Sequence, residues 1–398
     1  MVRIFRDYAR TLRRRGKAGR LLYATAVRLW RLGWRILGVL AWPFPAVAAL
    51  LRWSCSSEKR ILAVWDTAAQ PYSLGDMLVF QEATLLLRRI HGVEKVDLCI
   101  LSDEHDYKVG GREFDEISSG TRLRYILALL RVVQVNPHLG SLIVLDSRRQ
   151  FEAFIGDNCD KYYLWPPVGA YVAREYLYYR IFEMLARYYR KTGEIPRLAA
   201  GLAARQRARE FIVANALPYV PVVVQLRQNP GIDVSRNSDL VSWVALFDYC
   251  REKYPVKFMV ISAQEELDRG VIERPNVILT KSFATTVEED LALIEASAFF
   301  MSVSSGLCAM AIFSRVPYAV VKFVMGPHHP DLFPAIVSDE RGLHFIWATP
   351  EQRLVVEPDS VAVLIREFER LYAAVDRSAW TDHGVTAGSG PRPTLRLW

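Results

Sequence analysis

The chain has 398 residues, 51% hydrophobic and 12% aromatic, which excludes a disordered chain or a disulfide-stapled miniature and supplies material for two ordinary domains. Its net charge of +8 is uneven: residues 1–60 carry fourteen Lys and Arg against Asp7 and Glu58, a net of +12, which leaves the remainder at −4. Nucleic-acid binding, which needs basic residues clustered on the folded body, is therefore not expected. Five widely spaced cysteines without a C-x-x-C pair fit a reducing compartment, and no His spacing resembles a zinc motif.

In chain order, the first segment is basic and apolar. Arg3, Arg6, Arg10, Arg13, Arg14, Arg15, Lys17, Arg20, Arg28, Arg31 and Arg35 alternate with Leu, Trp, Tyr and Val, and residues 36–51 then carry no charge. That run is shorter than the roughly 20 residues of a spanning helix and contains Pro43 and Pro45. Residues 1–52 are expected to lie on an anionic membrane surface at the cytoplasmic face, as a peripheral or monotopic anchor whose arginines snorkel to the headgroups. A single-pass anchor is the alternative, and an amphipathic helix packed on the protein's own body is the plainest reading.

From residue 60 strands and helices alternate, the mark of a parallel sheet covered by helices. Strands are expected at 60–66, 96–101, 141–146 and 161–165, with helices at 76–90 and 121–133 and one long aromatic helix over 170–191. Residues 191–209 are basic and Ala-rich and read as the interdomain connection. A second series has strands at 221–227, 256–262, 277–279, 299–303 and 318–324, helices at 239–253, 286–296 and 359–374, and a capping box at Thr285 and Glu288. The division is 1–58 membrane-associating, 59–210 first α/β domain, 211–376 second α/β domain and 377–398 flexible tail. Two doubly wound sheets facing each other would hold a ligand between their strand C-terminal ends.

The stretch from Phe299 to Pro317 is the most informative. A buried strand ends in Ser304-Ser305-Gly306 and turns into a small-residue segment read as a helix, whose unpaired amides and dipole favour an anion such as a diphosphate. The plain alternative is an ordinary crossover with serines capping the helix.

Two segments carry a resemblance. Ser73-Leu74-Gly75-Asp76 and the residues after it resemble the S-x-G-D segment of the family 9 glycosyltransferases, the heptosyltransferases of lipopolysaccharide synthesis. Glu288 through Gly306, continuing to Val316-Pro317, is similar to their helix-strand-loop for the nucleotide sugar. The resemblance implies a GT-B fold of two facing Rossmann-like domains and metal-independent, inverting transfer. It implies no cofactor, only a nucleotide-diphosphate sugar as donor substrate, and a glycan or glycolipid acceptor on the first domain.

By residue-to-residue carry-over Asp76 falls on the catalytic base, a role suited to a carboxylate because an acceptor hydroxyl must lose its proton as it attacks. Its plain alternative is a helix cap. Gln225, Arg227 and Arg236 fall where the family contacts phosphate, with Arg227 as the cation that neutralises the leaving diphosphate. Glu288 reads as a capping residue and a ribose contact, and His328, beside His329, borders the donor cleft. Where the family has Asp-Thr-Gly-x-x-His, this chain has Ser304-Ser305-Gly306-x-x-Ala309. The Ser-Ser form is similar to the α1,6-fucosyltransferase group, whose His-x-Arg pattern Gln225-Leu226-Arg227 echoes. The alternatives are a sugar-nucleotide epimerase or pyruvyl transferase on a similar fold, and a non-catalytic GT-B-like glycan-binding or scaffold protein at the membrane.

Overall fold

The computed structural model describes residues 59–70, 73–102, 107–109, 112–114, 119–158, 160–172, 174–229, 234–324, 336–338 and 342–381. The expected membrane segment, His328 and residues 382–398 lie outside the described residues. Among the described residues no helix is long and apolar enough to cross a membrane.

The first unit runs β1 (Arg60–Asp66), α1 (Leu74–His91), β2 (Val96–Leu101), β3 (Tyr107–Val109), β4 (Arg112–Phe114), α2 (Ser119–Val133), β5 (Leu139–Leu145), α3 (Arg148–Asn158), β6 (Tyr162–Trp165), α4 (Val168–Val172) and α5 (Tyr178–Thr192). Its four main strands are parallel in the order β5-β2-β1-β6, while β3 and β4 form a small antiparallel hairpin that the sequence pattern did not suggest. Strands β1 and β2 are apolar runs because helices cover both faces. One face packs Trp65 edge-on to Phe80 of α1, ring centroids 5.1 Å apart. The other packs Val64 and Leu101 with Phe151 of α3 and Tyr171 of α4.

Helix α6 (Leu202–Asn215) leads into the second unit: β7 (Val220–Gln225), α7 (Leu240–Lys253), β8 (Val256–Val260), α8 (Arg269–Ile272), β9 (Val277–Leu279), α9 (Val287–Ala296), β10 (Phe299–Val303), α10 (Ala309–Ile312), β11 (Tyr318–Val321), β12 (Val337–Ser338), β13 (His344–Phe345), β14 (Arg353–Leu354), α11 (Val361–Ala374) and α12 (Ser378–Thr381). Six strands lie parallel in the order β14-β11-β10-β7-β8-β9. Renumbered from its own first strand this is the 3-2-1-4-5-6 order of a dinucleotide-binding sheet. In each sheet the order reverses once, between β1 and β6 in the first and between β7 and β10 in the second.

Four expectations change in detail. The helix read over 170–191 is broken between α4 and α5. The expected domain boundary at 210 falls inside α6, which is ion-paired to α9 through Arg205 with Glu295 and Arg207 with Glu289, so α6 travels with the second unit. The capping box of α9 is Thr286 with Glu289, one residue later than expected, because Thr285 Oγ1 donates instead to Asp290 at 3.0 Å. The tail expected from 377 opens with α12, whose Trp380 packs on the second unit's core.

Candidate active site

The loops at the two reversal points touch. Gly75, in the first turn of α1 after β1, lies against Gly306, just beyond β10: a Cβ on Gly306 would sit 2.8 Å from the Gly75 nitrogen and 3.1 Å from its Cα. Only glycine fits at either position, because each backbone occupies the space of the other's missing side chain. The two sequence-predicted motifs, more than 220 positions apart, thus form one place.

On the first unit's side stands Asp76. It is not the N-cap of α1: Ser73 holds that position in extended conformation, its Oγ accepting from Asp76 N at 3.3 Å, and Asp76 follows in the first turn. Burial pushes its carboxyl above the ordinary range, against the opposing pull of Ser73, Tyr176 and the Arg236 guanidinium. Tyr176 donates its phenol to Asp76 Oδ1 in a short hydrogen bond that bridges the reversal between β1 and β6. Burial, followed by the charge of Asp76, raises the Tyr176 phenol, so it remains a donor at neutral pH.

Tyr176 reaches Asp76 because the helix is interrupted. The Gln70 side chain takes both backbone groups that continuation would have used, donating to Glu175 O at 2.8 Å and accepting from Leu177 N at 3.0 Å. Tyr178 stacks on Tyr176 and Tyr179 packs edge-on to both, an aromatic wall beside the carboxylate. Sequence reading missed Gln70 and Tyr176; the run Tyr176-Leu177-Tyr178-Tyr179 is apolar-periodic, and nothing local marks the break.

On the second unit's side the hydroxyl of Ser305 donates to Gln225 Oε1 in a short hydrogen bond, and this contact bridges the reversal between β7 and β10. Gln225 in turn donates to Leu226 O at 2.7 Å. Ser305 stands at the N-cap position but its side chain makes no capping bond, and the expected small-residue helix after Gly306 is a 3-10 turn, Gly306–Cys308, followed by the single turn α10. Pro317 ends the segment soon after. What the segment presents at the contact is loop amides and side chains, not the N-terminus of a long helix. Ser304 lies beside Ser305 with its amide on Val321 O at 3.1 Å.

Arg236 ends the 3-10 turn Val234–Arg236, and its guanidinium acts on Asp76, Tyr178 and Cys308 across the contact. Arg227 is buried at the end of β7; its Nη1 donates to Asn237 Oδ1 at 2.7 Å and its backbone nitrogen to Ser238 Oγ at 2.9 Å. Glu266, past the end of β8, faces Arg227, and burial raises its carboxyl while Gln228 N and Arg227 oppose the rise. Glu288 is engaged elsewhere, its Oε1 accepting from Gly201 N at 2.9 Å at the start of α6. Of the expected donor-site residues, Arg236 acts on Asp76 by its charge, Gly306 touches the turn that carries Asp76, Ser305 beside it is bonded to Gln225, Arg227 is tied to Asn237 next to Arg236, and Glu288 makes a capping contact.

No protein-family profile matches this chain, and no curated protein matches it significantly. Among solved structures it is similar to a glycosyl transferase family 9 protein from Veillonella parvula, at 15% identity and a TM-score of 0.47, covering 80% of this chain and 99% of that one. It is also similar to ADP-heptose lipopolysaccharide heptosyltransferase II of E. coli, at 11% identity and a TM-score of 0.48, covering 79% and 98%. A third similarity is to the fucosyltransferase NodZ from Bradyrhizobium, at 12% identity and a TM-score of 0.27, covering 66% and 94%. These are the groups that the two motifs resemble, and at such TM-scores no residue role is taken from them.

Proposed function

We propose that the protein is a glycosyltransferase that moves a sugar from a nucleotide-diphosphate donor to a hydroxyl of a glycan or glycolipid acceptor. One observation carries the reading: two parallel sheets meet at their reversal points, a carboxylate on one side and guanidinium, amide and hydroxyl donors on the other. Ligands of open α/β sheets lie at such points. Asp76, held by Tyr176 and with its carboxyl raised by burial, accepts the acceptor proton as the oxygen attacks. Arg236 and Arg227, with the hydroxyl of Ser304 and the amides of Ser305 and Gly306, take the charge that develops on the departing diphosphate. Glu266 lies in the 3-10 turn Gln264–Glu266 that follows the second strand, on the side where an acidic residue meets a ribose diol in dinucleotide-binding sheets.

With the base on the first unit and the diphosphate held by the second, the transfer we propose is a single in-line displacement that inverts the anomeric carbon. The +12 charge of residues 1–60 supports placement on an anionic membrane, which brings the acceptor's lipid end to the cleft.

The full chain, incubated with UDP-, GDP-, ADP- and CDP-sugars and lipid-linked acceptors, should release nucleotide and form product. Asp76→Asn should cut transfer by about 10²–10⁴-fold and leave nucleotide affinity nearly unchanged; unchanged turnover removes the base role. Cosedimentation with anionic vesicles that persists after deletion of residues 1–52 would refute the membrane placement. A binding-only protein is the second reading, favoured by Ser304 and Ala309 standing where the resembled loop has Asp and His. It predicts nucleotide uptake without product from any acceptor.

A further inference from the structure

The segment that delivers Arg227 and Arg236 is built as a clasp, and its anchor lies far along the chain. Residues 227–229 and 237–239 face each other. Asn237 Oδ1 accepts from Arg227 Nη1 at 2.7 Å and from Asn229 N at 2.9 Å, and Asn237 Nδ2 donates to Asn229 O at 3.0 Å. Ser238 N donates to Arg227 O at 2.8 Å, and Gln228 Nε2 donates to Ser238 O at 2.6 Å. These bonds hold the ends of the clasp together but do not orient it on the domain.

Beside Glu266, whose Oε2 accepts from Gln228 N at 3.5 Å, two residues outside the clasp tie its far side to the unit. Lys322, just past β11, sits in the left-handed region at φ 52°, a conformation that strains a non-glycine residue and persists only where surroundings demand it. From there its ammonium donates to Asn237 O at 2.8 Å and pairs with Asp359 Oδ1 at 3.2 Å. Asp359 is buried, and its Oδ2 accepts from Asp239 N at 2.7 Å and from Trp243 Nε1 at 3.1 Å. The pair thus grips the clasp at Asn237 and Asp239, immediately after Arg236. Removing one partner would leave the other charge without compensation.

We propose that Lys322 and Asp359 are positioning residues of the donor site, which hold the clasp so that Arg236 meets Asp76 across the contact between the units. They touch no substrate, and they act through Asn237 and Asp239. The inference rests on the proposed function for its ligand, whereas the gripping of the clasp does not.

The test uses the full chain with Lys322→Met, Lys322→Arg, Arg236→Met and the Lys322→Met/Arg236→Met double variant. Amide hydrogen exchange followed by mass spectrometry should show protection lost in peptides covering 227–243 of Lys322→Met and retained in β8, α9 and the first unit. Unchanged protection there, or loss spread evenly over the molecule, overturns the gripping role. UDP, GDP, ADP and CDP are the calorimetric probes. Whichever binds the natural protein should bind Lys322→Met about tenfold more weakly, with affinity partly restored in Lys322→Arg. The double variant should be no weaker than Arg236→Met, since the lysine acts through the arginine. Equal nucleotide affinity in Lys322→Met and the natural protein sinks the positioning role while the transferase reading stands. Absence of binding by the natural protein sinks that reading, and hydrogen exchange still decides the grip.

Discussion

Asp76 and Tyr176 share one proton-accepting unit, and its pH dependence follows from their contact. Burial raises the carboxyl, and the phenol's hydrogen bond, made to the charged form, pulls it back. A base must be ionised to work, so the acid limb of kcat/KM should lie above the ordinary carboxylate range. Tyr176→Phe removes a group that favours the carboxylate, so the limb should move to higher pH. A shift to lower pH, or none, in pH profiles of transfer would show that the phenol does not govern Asp76. Asp76 was legible as a site residue from the segment it follows. Tyr176 was not, because its role depends on a backbone break made by a glutamine over a hundred positions away.

At the scale of elements, that break is the feature most open to test. Gln70 is buried and satisfies two backbone groups that a broken helix leaves without partners. Gln70→Ala should cost about 1–3 kcal/mol in urea unfolding, the range for uncovering buried polar groups. It should also lower transfer while nucleotide affinity stays constant, since the donor side is untouched. Loss of stability with full activity would show that the break survives without its clamp.

The strands were legible because parallel strands covered on both faces are written as unbroken apolar runs, as in β1, β7 and β10. Helix termini were legible to within about two residues, with the box on α9 slipping by one because Thr285 and Thr286 are chemically alike and only packing against Asp290 separates them. The extent of α10 was not legible: Ala309–Ile312 has good helix formers, yet the chain must turn back within four residues to reach β11.

For the whole molecule, the relation between the two units decides function. Their seam is apolar: Phe182 of α5 stacks on Phe345 and Trp347 of the second unit, with ring centroids 5.7 and 6.1 Å away, and it also meets Phe313. Such a seam resists sliding more than a polar domain interface does. The Gly75–Gly306 contact joins the two units backbone to backbone, so a single methyl there acts on the whole arrangement. Gly306→Ala places a carbon 2.8 Å from the Gly75 nitrogen, closer than backbone atoms tolerate, and the units must part. Small-angle scattering should then report a larger radius of gyration, and transfer should fall by about tenfold or more, as expected when reacting groups are displaced by an ångström. An unchanged radius with full activity would show that the loops yield locally instead.

The sequence by itself determined the class of the main strands and of most helices, the two-unit rhythm, the charge division between residues 1–60 and the body, and the two motifs that meet. Those features are local, since burial of both sheet faces and turn chemistry are recorded in neighbouring residues. The tertiary structure alone decided that the motifs touch through two glycines, that Gln70 frees Tyr176 for Asp76, and that Lys322 and Asp359 hold the arm carrying Arg236. Each of these depends on groups brought together from positions dozens to hundreds apart, and no pattern within a window of sequence records such a meeting.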